Sequence, residues 1–182
     1  MRKSLHAILL LMLLVSAGAC KKKSEAPISI IVPKPAAPAP VGIQSIGDEA
    51  QPRQTIKWGG GTYTLGIKRW ADKELPVVDD GDGGKYYDNR ISVDILDGSG
   101  NTFFSRKYSK NDFANYLERD MLGRSVLYNI VFYETSDQAL FLVASVGSPD
   151  DTGGDFVQME IRIARDGSSS VRKTAIREIE EF

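Results

Sequence analysis

Carboxylates at alternate positions in a glycine-rich stretch are the most chemically suggestive feature of this 182-residue chain. The run Asp79-Asp80-Gly81-Asp82-Gly83-Gly84-Lys85-Tyr86-Tyr87-Asp88-Asn89 offers several oxygens along a backbone free to turn, as a hard cation such as calcium requires. Asp80, Asp82 and Asp88 are the candidate ligands of a calcium-type ion. The spacing is not that of an EF-hand. Counting from Asp80, the glycine position holds Lys85 and the glutamate position holds Ile91. A second acidic run, Gly147-Ser148-Pro149-Asp150-Asp151-Thr152-Gly153-Gly154-Asp155, could share an ion with the first if both lie at one end of a sheet. Two solvated turns are the plainer and favoured reading, so no cofactor is expected beyond this candidate calcium.

Cys20 is the other residue with a defined chemistry. Arg2 and Lys3 precede an apolar run from Ala7 to Val15, and small residues then lead up to the single cysteine. That is the pattern of a secretory signal, and the apolar run is shorter than the roughly 20 residues needed to span a bilayer. The expectation is a lipoprotein signal peptide over 1–19, with Cys20 acylated and forming the mature N-terminus; the alternative is an ordinary cleaved signal that leaves a free thiol.

What the chain lacks narrows the options further. His6, the only histidine, lies in the leader. A mature chain with no histidine and one acylated cysteine cannot build a Ser-His-Asp triad, a Cys-His pair, a His-ligated metal site or a disulfide. Carboxylate chemistry, oxygen-ligated metals, Lys- or Tyr-based catalysis and plain binding stay open. The leader holds two of the 23 basic residues and none of the 24 acids, which leaves the mature chain at a net charge of −3. Outside the Lys21-Lys22-Lys23 cluster the body is acidic, so nucleic acid is not an expected partner.

Residues 20–53 read as the lipidated cysteine followed by a tether. Five of the eight prolines fall between Pro27 and Pro40, where they remove amide donors and favour polyproline II, extending about 3.1 Å per residue. From about Gln54 to Phe182 the pattern has period two: Tyr63, Leu65 and Ile67; Ile91, Val93 and Ile95; Val157, Met159, Ile161 and Ile163 each alternate with small or polar residues. Val126–Glu134 and Ala139–Val146 are apolar on both faces, the mark of covered central strands. Turn residues at Gly59-Gly60-Gly61, at 97–101 and at Asp166-Gly167 separate these runs. The expected fold is a single β-rich α+β domain over 54–182, with about eight mostly antiparallel strands in a curved sheet, sandwich or open barrel. One helix should pack on it, starting at Ser109 with Asp112 three residues on, carrying Phe113, Tyr116, Leu117 and Met121, and closing at Gly123.

Trp58, Tyr63, Trp70, Tyr86, Tyr87, Phe103, Phe104 and Tyr108 crowd the first half of this domain. Exposed aromatics would suit sugars, but core packing is favoured. Phe103 and Phe104 are adjacent in one strand and are expected on opposite faces.

The order Ile56-Lys57-Trp58-Gly59-Gly60-Gly61-Thr62-Tyr63, Leu75-Pro76-Val77-Val78-Asp79-Asp80, Tyr87-Asp88-Asn89-Arg90-Ile91, Phe103 through Phe113 and Ala144 through Asp150 resembles a family of lipoproteins of unknown function from Bacteroides-like Gram-negative bacteria. The resemblance covers about residues 55–180. It implies a lipid-anchored, mostly β domain with no catalytic residues to carry over. In such a host, lysines rather than acids after Cys20 favour the periplasmic face of the outer membrane, with exposure at the cell surface as the alternative.

The functional expectation is a monomeric, non-enzymatic binding or accessory module of the cell envelope, anchored to the membrane through the lipid on Cys20 and holding an envelope protein or a glycan. The alternative is a carboxylate-based glycan hydrolase, which needs two acids about 5–9.5 Å apart, one of raised pKa. If Cys20 carries the lipid, Cys20→Ser releases the protein from membranes or traps the uncleaved precursor. Metabolic labelling with an alkyne fatty acid should mark the parent and not the serine variant; label on both ends the lipoprotein reading.

Overall fold

The computed structural model describes residues 42–150 and 156–174; Cys20, most of the expected tether, Asp151 and Asp155 lie outside the described residues. Two larger sheets face each other across one core, beside a small third sheet. The first sheet is built on β4 (Gly61–Ala71), which pairs antiparallel with β7 (Asn89–Leu96), itself paired with β8 (Thr102–Tyr108). On the other side of β4 lie β2 (Glu49–Ala50) and then β3 (Gln54–Trp58). Pro52 falls between them, where its missing amide interrupts the ladder. The second sheet has the order β12 (Ser169–Lys173), β11 (Val157–Ala164), β10 (Ala139–Gly147), β9 (Val126–Thr135), all antiparallel. The third joins β1 (Ile43–Gln44), β6 (Lys85–Tyr86) and β5 (Val78–Asp79), with β1 and β6 parallel.

The chain is therefore strand-rich and mostly antiparallel, without a closed barrel. Its eight longer strands carry the period-two runs. The other four have two residues each, too short to leave a periodic signal. Alternation puts Leu65, Ile67, Ile91, Val93 and Ile95 of the first sheet against Leu140, Leu142, Ala144, Met159, Ile161 and Ile163 of the second. The β3–β4 hairpin shows the turn chemistry at work: Gly59 and Gly60 both have positive φ, 56° and 80°, as a two-residue primed turn demands. A Cβ on Gly59 would also collide with the Arg165 guanidinium, which lies over the Trp58 ring and donates to the Gly59 carbonyl.

Several expectations are corrected. The strand pairing of β1 and β2 brings residues 43–50 into the sheets, so strands begin upstream of Gln54, inside the stretch expected as tether. The single expected helix is two elements: a 3-10 helix, Lys110–Tyr116, and a short α1, Arg119–Arg124, separated by extended backbone at Leu117 and Glu118. The Ser109–Asp112 start holds, since Asp112 accepts from both the backbone and the hydroxyl of Ser109. Three residues per turn then align Lys110, Phe113 and Tyr116, which is why the 3.6-residue reading fails. Phe113 is fully buried and stacks on Tyr108, and Tyr116 donates to the Val171 carbonyl of β12. Gly123 sits inside α1 rather than capping it. Phe103 and Phe104 do not take opposite faces: a bulge opposite Ile95 and Leu96 absorbs one residue, and both rings pack on the core.

The largest correction concerns β9, which is an edge strand and not a central one. Its second half is open, with Val131 39% and Tyr133 58% exposed. Its first half is closed by side chains from the first half of the chain. Leu127 gives its N–H to Asp88 Oδ1 and takes the Asn89 amide on its carbonyl, at 3.0 and 2.9 Å. Arg69 donates to the Tyr128 carbonyl at 2.7 Å and Gln51 to that of Ile130 at 2.8 Å. Lys110 donates to the Ser125 carbonyl just before β9, and the Trp58 indole to that of Ser136 just after it. These bonds stand in for a missing neighbouring strand. Asn89→Ala leaves the buried Leu127 carbonyl without its donor and should cost about 1–3 kcal/mol in denaturant unfolding, while Ser92→Ala on the outer face stays within about 0.5 kcal/mol. Equal, small effects of the two would show that the stitching is incidental.

Candidate functional site

The residues that face inward on β4 and β7 leave the alternate ones on the outer face of the same sheet. On β4 these are Thr64, Gly66, Lys68 and Trp70; on β7, Arg90, Ser92, Asp94 and Leu96. The registers arrange them in rows. Lys68 stands opposite Ser92, and Ser92 opposite Lys107 of β8. In the next row Gly66 is opposite Asp94, and Asp94 opposite Ser105; on the other side Trp70 is opposite Arg90. Two shallow depressions of about 430 and 490 Å³ lie over this face and share Lys68, Ser92 and Asp94. Gly66 and Arg53 help to line the first, Trp70, Lys107 and Asp48 the second.

Local contacts fix most of these groups. The Ser105 hydroxyl donates to Asp94 at 2.6 Å, and Asp48 accepts the Ala71 N–H at 3.1 Å. Arg90 is held by Asp72, and that hydrogen bond keeps the Asp72 carboxyl below the usual carboxylate range. The Lys107 ammonium lies 6.0 Å from the centre of the Trp70 ring. Among the described residues, Arg53, Lys68 and Lys107 have no carboxylate within ion-pair distance. Gly66 leaves open space at the centre of the face: a Cβ there would meet nothing closer than the Asp94 carbonyl at 3.9 Å. The site thus combines half-buried indole, free ammonium groups, carboxylates and hydroxyls on a rigid sheet.

The candidate calcium ligands are not brought together. Asp80 turns back on its own loop, where Oδ1 accepts the N–H groups of Asp82 and Gly84, both at 2.8 Å. Asp82 is exposed. Asp88 is buried elsewhere, 4% exposed, with the ammonium of Lys110, a residue only 6% exposed, at 3.2 Å. Among the described residues no three His, Cys, Asp or Glu side chains are placed to hold one metal ion. In the second acidic run the Ser148 hydroxyl donates to Asp150 at 2.7 Å, while residues 151–155 lie outside the described residues. Of the aromatics, Trp58, Tyr63 and Phe103 form a mutually tilted cluster with ring centres 5.3–5.6 Å apart, packed on the core. Trp70 does not join it. Its position was legible: it shares the parity of Lys68, not of Leu65 and Ile67, and so must face outward.

The Asp88–Lys110 pair borders a cleft of about 120 Å³ with Leu75, Pro76 and Leu122. All the contacts of both groups run to the chain itself. Lys110 links the 3-10 helix to Ser125, and Asp88 links the start of β7 to β9. Its work is structural, and it has a distinctive signature. Lys110→Met strands a buried carboxylate and should cost about 3–5 kcal/mol, whereas Asp88→Asn in the same chain should restore most of that loss. Urea midpoints of the two variants measure this; a double variant no better than Lys110→Met contradicts the pairing.

Comparison with curated proteins returns no match. The profile described as Domain of unknown function (DUF4738) matches residues 34–171, a span that takes in all strands of both larger sheets up to β12. The match covers well over half of the chain, and the protein belongs to the DUF4738 family of domains of unknown function.

Proposed function

We propose that this protein is a lipid-anchored, non-enzymatic binding module of the cell envelope, held at the periplasmic face of the outer membrane through Cys20, and that it binds a glycan on the outer face of its five-stranded sheet. The observation that carries the reading is Trp70, an indole standing on an open face in one depression with Lys68, Lys107, Asp94 and Ser92. A pyranose has one C–H-rich face and a hydroxyl-rich rim. The first packs on an indole by dispersion and apolar burial, and the second needs donors and acceptors spaced around that ring. Strands hold those groups without a loop that must order on binding, which limits the entropy lost.

Binding without hydrolysis fits the carboxylates. A glycosidase needs one acid of raised pKa. Among the described residues, Asp72 through Arg90, Asp97 through the Asn101 amide and Asp166 through the Ser168 hydroxyl are all held below the usual carboxylate range.

On a glycan array, the full-length protein in detergent should retain a defined set of saccharides. Trp70→Ala should weaken that binding by about tenfold or more, the scale of losing one buried aromatic contact. Gly66→Val, a strand-favouring side chain in open space, should raise or preserve the melting temperature and still block binding. Retention of binding by both folded variants would remove this face as the site.

A further inference from the structure

We propose that the glycan bound on this face carries a carboxylate, as a uronic or other acidic sugar does, and that Lys68 and Lys107 straddle the acid group while Trp70 takes the ring. This rests on the reading of the face as a glycan site and names the class of sugar. The row Lys68–Ser92–Lys107 crosses three adjacent strands, so the two lysine backbones stand about 10 Å apart with a hydroxyl midway. Two ammonium groups reaching inward from that separation can each meet one oxygen of a single carboxylate, and the Ser92 hydroxyl can donate from below. Charge-assisted bonds of this kind are about twice as strong as neutral ones.

The remaining charges select among anions. Asp94 lies in the row beside the lysines and Asp48 lines the same depression. Both are acceptors for sugar hydroxyls, and both repel a second negative charge. One carboxylate on each hydroxyl-rich ring satisfies the lysines and the aspartates together, whereas a phosphate monoester, with two charges on one group, does not. Arg53, Lys68 and Lys107, which line the two depressions, have no carboxylate within ion-pair distance among the described residues.

The test titrates full-length protein in detergent, at low ionic strength, with trigalacturonic acid and with the neutral galactose trimer of the same linkage. The expected result is tighter binding of the acid trimer by about tenfold, lost at high salt. In the Lys68→Gln/Lys107→Gln variant the acid trimer should fall to the affinity of the neutral one, with the melting temperature unchanged. Equal binding of both trimers, indifferent to the glutamines, overturns the acidic-sugar inference and leaves the glycan site standing. Failure of both trimers, together with an array on which neither acidic nor neutral saccharides are retained, overturns the glycan site itself. Binding of anionic lipid vesicles through the same lysines without trigalacturonate binding also overturns the inference and makes the lysines a headgroup contact.

Discussion

The structure depends on how the first half of the chain satisfies the open edge of β9. An edge strand presents unpaired N–H and C=O groups that would otherwise seek another chain. Here Asp88 and Asn89 at the entrance to β7, Arg69 on β4 and Gln51 after β2 reach across and occupy them with side chains. Arg69 lies on the inward face of its strand and adds a salt bridge to Glu49 and a contact with the Tyr128 ring. The stitches join segments 38–79 residues apart in sequence. They hold the two sheets in one relation and close the first half of an edge that the apolar core alone would leave open.

That arrangement determines where a ligand surface can lie. The inner face of the five-stranded sheet is committed to the core and its margin to the stitching, so the period-two alternation leaves one broad, regular surface, the outer face. Its rows are set by backbone registers rather than by loops, which suits recognition of a repeating, hydroxyl-rich partner. The acidic loops, by contrast, spend their carboxylates on their own backbones. Asp80 accepts from Asp82 and Gly84, and Asp97 from Ser99 and Asn101. Those bonds make tight turns and leave few oxygens to converge on an ion.

The longer strands were legible because burial on one face imposes period two, and the glycine turns because positive φ selects glycine. Trp70 was legible too, by parity with Lys68, once its strand was read as a whole rather than its aromatics as a class. Other features were beyond local pattern. Asp88 resembles a calcium ligand in sequence because its true partner, Lys110, is 22 positions away on a 3-10 helix. The apolar run of β9 suggests a central strand, since nothing local shows that polar side chains of distant residues complete its edge. The bulge that turns Phe103 inward, and the two-residue strands β1, β2, β5 and β6, exist only through their partners.

The most direct measurement is amide-resolved NMR of the isotopically labelled protein during titration with trigalacturonic acid. The account predicts shift changes confined to the outer-face positions of residues 64–70, 90–96 and 105–107, with the amides of Leu127 and of β10 and β11 unmoved. Changes centred on β9 around Val131 and Tyr133, or on the cleft beside Lys110, would place the ligand elsewhere and contradict the account.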